Sequence, residues 1–153
     1  MKDAPLMLEW MRTVPHFFRD DFSGKTIDDC IRFISESQDE TESIHLAIVD
    51  DHDEYMGTVS LKHIRRNIAE FAIALRSCAM GMGYASFGMK EITDYGYRNR
   101  NIVTVYWCVD PKNRRAVRFY QKQGYQPCDA PDQTLGYTDE EKRKYLWYQA
   151  EIR

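Results

Sequence analysis

In the first eleven positions the apolar residues fall at Ala4, Met7, Leu8 and Met11, a spacing that gathers them on one side of a helix, and Pro15 closes the pattern. Thr26 precedes an acidic first turn, Asp28 and Asp29, followed by Cys30, Ile31, Phe33 and Ile34. A second, capped helix is therefore predicted to run to about Ser37. The period then changes from helical to extended. Ile44–Val49 and residues 56–61 flank the polar run 50–54, which predicts two antiparallel strands joined by a hairpin, and a third strand follows over 69–75. Beyond Gly81 and Gly83, the positions Ala85, Gly88, Met89, Ile92, Tyr95 and Gly96 trace one face of the longest helix. Residues 102–108 are β-branched and aromatic enough for a buried strand. Asp110-Pro111 then turns the chain into a helix carrying Ala116, Phe119 and Tyr120, ended by Gly124. A further strand is expected from Tyr125, then a polar loop over 129–142 and a last strand over 145–152. Helix, helix, three strands, helix, strand, helix, two strands is the order of a mixed α/β fold with helices on the faces of one sheet.

Composition narrows the function classes. A chain of 153 residues without repeat or linker suits a single domain over 1–153, and 43% hydrophobic with 29% charged residues excludes fibrous and disordered classes. Lys and Arg total 21 against 24 Asp and Glu, so no cationic excess favours nucleic acid. No segment approaches the ~20 consecutive apolar residues of a bilayer span. Cys30, Cys78, Cys108 and Cys128 have neither the spacing of a zinc site nor that of a disulfide framework. A cytoplasmic chain with reduced thiols, no metal and no membrane or nucleic-acid partner is the expectation.

The chemistry begins where the third strand runs through a glycine-bearing loop into the longest helix, from Leu75 to Ala85. Unpaired backbone N–H groups at a helix N-terminus can hold a pyrophosphate without a lysine; a plain turn with flexible glycines is the simpler alternative. A dinucleotide fingerprint does not fit, because Gly81-x-Gly83-x-x-Ser86 lacks the third glycine or alanine and no acidic residue follows at the expected distance.

The second element is Asn113-x-x-Ala116-x-x-Phe119-Tyr120-x-Lys122-x-Gly124-Tyr125. Together with the glycine loop at this separation, it resembles the GCN5-related N-acetyltransferase (GNAT) superfamily, over about residues 2–125. The hairpin at Tyr55-Met56-Gly57, the Ala69-Glu70 strand and the Trp10 helix are similar to the ribosomal-protein N-acetyltransferase (Rim-type) branch. The resemblance implies a mostly antiparallel sheet of six or seven strands, splayed in the middle, with about four helices on its faces. It implies acetyl-coenzyme A as co-substrate and direct transfer to a primary amine. The family's phosphate loop falls on Met80-Gly81-Met82-Gly83-Tyr84-Ala85. Met80 stands where Arg or Gln is usual and Met82 where Lys is common, which predicts weaker cofactor affinity; Arg76, Lys112, Arg114 and Arg115 are candidates for replacement charge. Backbone amides near Ala74 and Leu75 would pair with pantetheine and stabilise the oxyanion. Asn113 resembles a residue that bonds the pantetheine, and it also suits a helix N-cap. Tyr120 resembles the acid that protonates the departing thiolate, and it equally suits core packing. The resemblance also implies a strand before the first helix. Without it the sheet is a strand short, a partner such as a second copy covers the edge, or the start is truncated.

On the acceptor side, an amine with a pKa near ~10 must lose a proton before it attacks a thioester. Glu70 is the candidate base: strand alternation puts it on one face with Ala72 and Ala74, which leave room for a ligand. The alternatives are a surface carboxylate or an ion pair with Arg65 or Arg66; His63 and Glu54 are further candidate bases. Trp10, His16, Phe17, Phe18 and the 129–142 loop are expected to line the acceptor, a protein N-terminus, an amino sugar or a small metabolite. A weak or inactive acyl-coenzyme A sensor is the alternative function, supported by Met80, and a ligand-free interaction domain is the third.

Overall fold

A computed structural model describes residues 2–13, 22, 24–38, 40–132, 134 and 136–152. Helix α1 (Ala4–Thr13) buries Ala4, Met7, Leu8 and Trp10, and α2 (Ile27–Ser37) packs Cys30, Phe33 and Ile34 against it over Tyr55. The start of α2 is a capping box: the Thr26 hydroxyl accepts from the Asp29 N–H at 3.3 Å and Asp29 Oδ2 accepts from the Thr26 N–H at 2.8 Å.

The strands are β1 (Ile44–Val49), β2 (Tyr55–Arg65), β3 (Ile68–Leu75), β4 (Thr104–Val109) and β5 (Leu146–Glu151), in one sheet of order β1-β2-β3-β4-β5. All neighbours are antiparallel except β3 and β4, which are parallel and joined by the crossover helix α3 (Tyr84–Arg100). This agrees with the expected mixed, mostly antiparallel sheet. The count differs: five strands are formed among the described residues, where six or seven were expected, and five α-helices rather than four. No strand precedes α1 among those residues, so β1 is an edge. The strand expected from Tyr125 is reduced to one bridge between Cys128 and Trp147, because Pro127 has no N–H to extend the pairing. After α4 (Arg114–Lys122), the polar loop holds an unexpected helix, α5 (Asp139–Lys144), started by a second capping box between Thr138 and Glu141.

The two faces of the sheet have different roles. Val59, Leu61 and Phe71 join the main core under α3. There the helix comes so near that a Cβ at Gly88 would lie 2.7 Å from Ile48 Cδ1 and one at Gly96 would lie 2.6 Å from Leu61 Cδ1. The opposite face carries Thr58, Ser60 and Lys62, whose register partners are Ala74, Ala72 and Glu70. That face is small and polar, and α1 and α2 roof it without filling it.

Candidate active site

Strands β3 and β4 share only the pairs Ile68↔Thr104, Ala69↔Val105 and Glu70↔Tyr106. Both continue past the last pair, β3 to Leu75 and β4 to Val109, without hydrogen-bonding each other, so the sheet parts beside Glu70. The parting is the expected splay. A cavity of about 430 Å³ opens there, walled by Ala72 and Ala74 of β3, Trp107, Cys108 and Val109 of β4, and Asn113, Ala116 and Tyr120 of α4. Its other end runs beneath Met7, Trp10, Met11 and Phe33 to Asp29, His45 and Tyr55.

Glu70 reaches this cavity and is 3% exposed. Neither Arg65 nor Arg66 pairs with it: Oε1 accepts the Tyr137 hydroxyl at 2.8 Å, and Oε2 faces His63 Nδ1 at 3.4 Å. Tyr137 comes from the loop before α5 and packs its ring edge-on to Trp147, with centroids 5.1 Å apart. Burial pushes its phenol well above the ordinary range, and Cys108 and Glu70 reinforce the shift. Of the other candidate bases, Glu54 is held by Arg76, and His63 stands behind Glu70.

Tyr120, 4% exposed, satisfies both of its readings at once. Its ring packs against Trp107 and Tyr148, with centroids 5.2 Å away in each case, and it also lines the cavity. Burial, then the neighbouring Tyr148, Tyr125 and Cys108, raise its pKa and keep the phenol protonated at neutral pH. Asn113 caps α4, its Oδ1 accepting from the Ala116 N–H at 3.3 Å, and lines the cavity as well.

Past Ala74, the chain leaves the cavity wall through Leu75 into the short 3₁₀ turn Ser77–Ala79 and the loop to α3. Met80, Gly81, Met82, Gly83, Tyr84 and Ala85 therefore form a separate rim, not part of the cavity itself. Gly81 and Gly83 have φ of +77° and +86°, and open space lies where either Cβ would stand. The left-handed Gly83 is the N-cap of α3 and supplies no side-chain partner, so the first backbone N–H groups of the helix have no side-chain cap. Replacement charge does not come from Arg76: its guanidinium binds Glu54 at 3.0 Å, Glu9 at 3.1 Å and the Tyr55 carbonyl at 2.9 Å. Lys112, Arg114 and Arg115 stand exposed where α4 begins.

Of the residues expected to line the acceptor, Trp10 lies in the cavity wall, whereas His16, Phe17 and Phe18 lie outside the described residues. Three residues not singled out from sequence, Tyr137, His45 and Lys62, line it too. His45 accepts or donates a 2.7 Å hydrogen bond with Ser60; burial, assisted by Lys62, lowers its pKa. Among the described residues, no group of three or more His, Cys, Asp or Glu could hold a metal ion, and no helix is long and apolar enough to cross a membrane.

The family model of the acetyltransferase (GNAT) domain matches residues 1–126. Over 67 residues, 44% of its length, the chain is 34% identical to the spermidine N(1)-acetyltransferase of Escherichia coli K12; the match covers 36% of that relative, about a third of its length. Among solved structures, a spermidine N-acetyltransferase from Vibrio cholerae in complex with CoA and spermine superposes with a TM-score of 0.76 at 16% identity, over 98% of this chain and 90% of that one. The Campylobacter jejuni N-acetyltransferase PseH in complex with acetyl coenzyme A superposes with a TM-score of 0.68 at 17% identity, over 99% and 92%. These likenesses show the fold. The Rim-type branch suggested by the hairpin and the Trp10 helix is not the one these relatives' names carry.

Proposed function

The chain belongs to the acetyltransferase (GNAT) family, and on that footing we propose that it transfers an acetyl group directly from acetyl-coenzyme A to a small primary amine. The observation that carries this reading is the parting of β3 and β4 beside a buried carboxylate, opening on a cavity that α1 and α2 roof. Acyl-coenzyme A enters from the rim: the N–H groups at the start of α3 and the exposed cations of α4 suit its phosphates, and Ala74, Leu75 and Asn113 suit the pantetheine arm. Glu70 takes the proton that the ammonium must lose. Tyr120, whose proton burial retains, donates to the thiolate as charge develops on sulfur.

A polyamine is the first acceptor to test, as the relatives' names suggest. Asp29, Glu70 and Asp110 outnumber Lys25 and Lys62 in the cavity wall, and aromatic rings such as Trp10 and Phe33 offer faces to a cation. The charge of the chain is also divided: residues 1–60 hold 14 acidic and five basic side chains, residues 61–153 hold 10 and 16. On this reading the acidic first part contributes Asp29 to the acceptor end, and the basic remainder contributes Lys112, Arg114 and Arg115 for the phosphates. Self-association is part of the proposal, since a V. cholerae relative is described as dodecameric; light scattering measures it.

Calorimetric titration with acetyl-coenzyme A, followed by thiol release with spermidine, spermine, an amino sugar and a short peptide, tests the reading. Binding with polyamine-dependent thiol release is expected. No binding overturns it, and binding without release for any amine leaves an acyl-coenzyme A sensor.

A further inference from the structure

Each acetylation of an ammonium releases two protons from nitrogen. One ends on the thiol and the other must reach solvent. Glu70 is 3% exposed and opens only on the cavity that the acceptor would fill, so with the acceptor seated it needs another way out for the proton. Its Oε1 is taken by Tyr137, but its buried Oε2 has no hydrogen-bond partner, and neither has the buried Nδ1 of His63 that faces it at 3.4 Å. The side chain of His63 is 40% exposed, so one ring touches the buried carboxylate and the surface.

The backbone is shaped to make this contact. Lys62 is the register partner of Glu70 and shares its face, so plain alternation would send the next residue, His63, to the opposite face. Instead the β2–β3 register slips between Lys62 and Arg65, and His63 adopts φ +51°, a left-handed conformation that a non-glycine residue rarely takes. The slip brings the ring back to Glu70. Strain of this kind gathers where a side chain has to be aimed.

We propose that His63 is a positioning residue that acts through Glu70 as the outlet for its proton; this rests on the reading of Glu70 as base. The ammonium gives a proton to the Glu70 carboxylate, Oε2 passes a proton to Nδ1 of the imidazole, and Nε2 releases its own proton to water, which restores the carboxylate and leaves the Nδ1–H tautomer; turning of the half-exposed ring, so that this proton exchanges with solvent, resets His63. The separation of 3.4 Å shortens to a hydrogen bond when Glu70 becomes the donor. The other titratable groups around the pair are Lys62 on β2, Tyr106 on β4, and Tyr137 with Cys108 beyond it. None of these joins Oε2 to solvent as His63 does.

The test compares wild type with His63→Asn, which tolerates the left-handed backbone, and His63→Gly, which leaves space for free imidazole. Acetyl-coenzyme A titration and thermal unfolding check that both fold. At low buffer concentration kcat is expected to fall on the order of 10-fold in both, with KM for the amine unchanged. Added imidazole restores the rate of His63→Gly in proportion to its concentration and leaves wild type and Tyr120→Phe unaffected. A wild-type rate in His63→Asn, or a loss that imidazole does not restore, overturns the outlet. Full activity in Glu70→Gln overturns Glu70 as base, and the outlet with it, while acetyl transfer stands. A wild-type chain that acetylates no amine overturns the transfer itself.

Discussion

Glu70 and Tyr106 form the last pair that β3 and β4 share, and the sheet opens immediately beyond them. The carboxylate is therefore fixed by the ladder on one side and borders empty space on the other, which suits a group that must meet a ligand without moving. Glu70→Gln keeps the shape and removes the proposed base. It should lower kcat for amine acetylation by roughly 100-fold and leave acetyl-coenzyme A affinity intact. The deficit should narrow as pH rises towards ~10, where the amine loses its proton unaided. A parallel pH–rate profile for the two proteins would remove Glu70 from the reaction.

Tyr120→Phe deletes one hydroxyl from a ring that keeps its tilted packing against Trp107 and Tyr148. Affinity for coenzyme A should change little, and turnover should fall by roughly 100-fold. Equal rates in steady-state assays would leave the ring a purely packing role.

Gly83 sits at φ +86° with open space where its Cβ would be. Gly83→Val strains the backbone by about 1–2 kcal/mol and puts a branched side chain across the free N–H groups of α3. Calorimetry should show acetyl-coenzyme A binding weakened at least on the order of 10-fold, with the unfolding midpoint lowered by only a few °C. Unchanged affinity in the folded variant would mean that the phosphates lie elsewhere.

Gly88 is a packing position: a Cβ there meets Ile48 Cδ1 at 2.7 Å and Val59 Cγ1 at 2.8 Å. Gly88→Ala should destabilise the fold by about 1–3 kcal/mol in denaturant titration. Adding Ile48→Val, which trims one of the two obstructing groups, should recover part of the loss; purely additive effects would show that the clash is relieved by another route.

His45 supplies a pH dependence with a defined sign. Its folded-state pKa lies below the ordinary 6.5, because burial disfavours the imidazolium. The unfolded chain therefore takes up a proton first: the contribution is complete above pH 6.5 and is lost as pH falls from there to the folded pKa. In thermal unfolding from pH 8 to pH 5, His45→Gln should lose less stability than wild type. An identical pH slope would show that His45 is not responsible.

What the sequence discloses here follows the range over which each signal acts. Periodicity and caps are local, so α1, α2 and β1 are legible within a residue or two, and so are the small residues Ala72 and Ala74 beside Glu70; β2 runs four residues beyond the expected Leu61, to Arg65. Helix α5 is not expected from the sequence reading: Thr138 and Glu141 have the spacing of a capping box, but the density of charge around them gives the stretch the look of a loop. Tyr125 promised a strand by its apolar character, but Pro127 two residues later outweighs it. The contacts that define the site were not legible. Tyr137 meets Glu70 across 67 residues of chain, and His63 reaches it only through a slip in register that strict alternation conceals.

The three-rung junction between β3 and β4 also bears on how the molecule assembles. On one side lie α1, α2 and the β1-β2-β3 meander, whose pairings are short in sequence; on the other lie β4, α4, α5 and β5. Local meanders form early, whereas a parallel pairing across a crossover helix has to wait for the loop to close. The N-terminal portion can thus acquire its structure while the remainder is still being synthesised, and the cavity comes into being only when the two portions dock. A molecule seated in the cleft touches both and should slow their separation, so amide exchange in β4 and β5 becomes a direct gauge of occupancy.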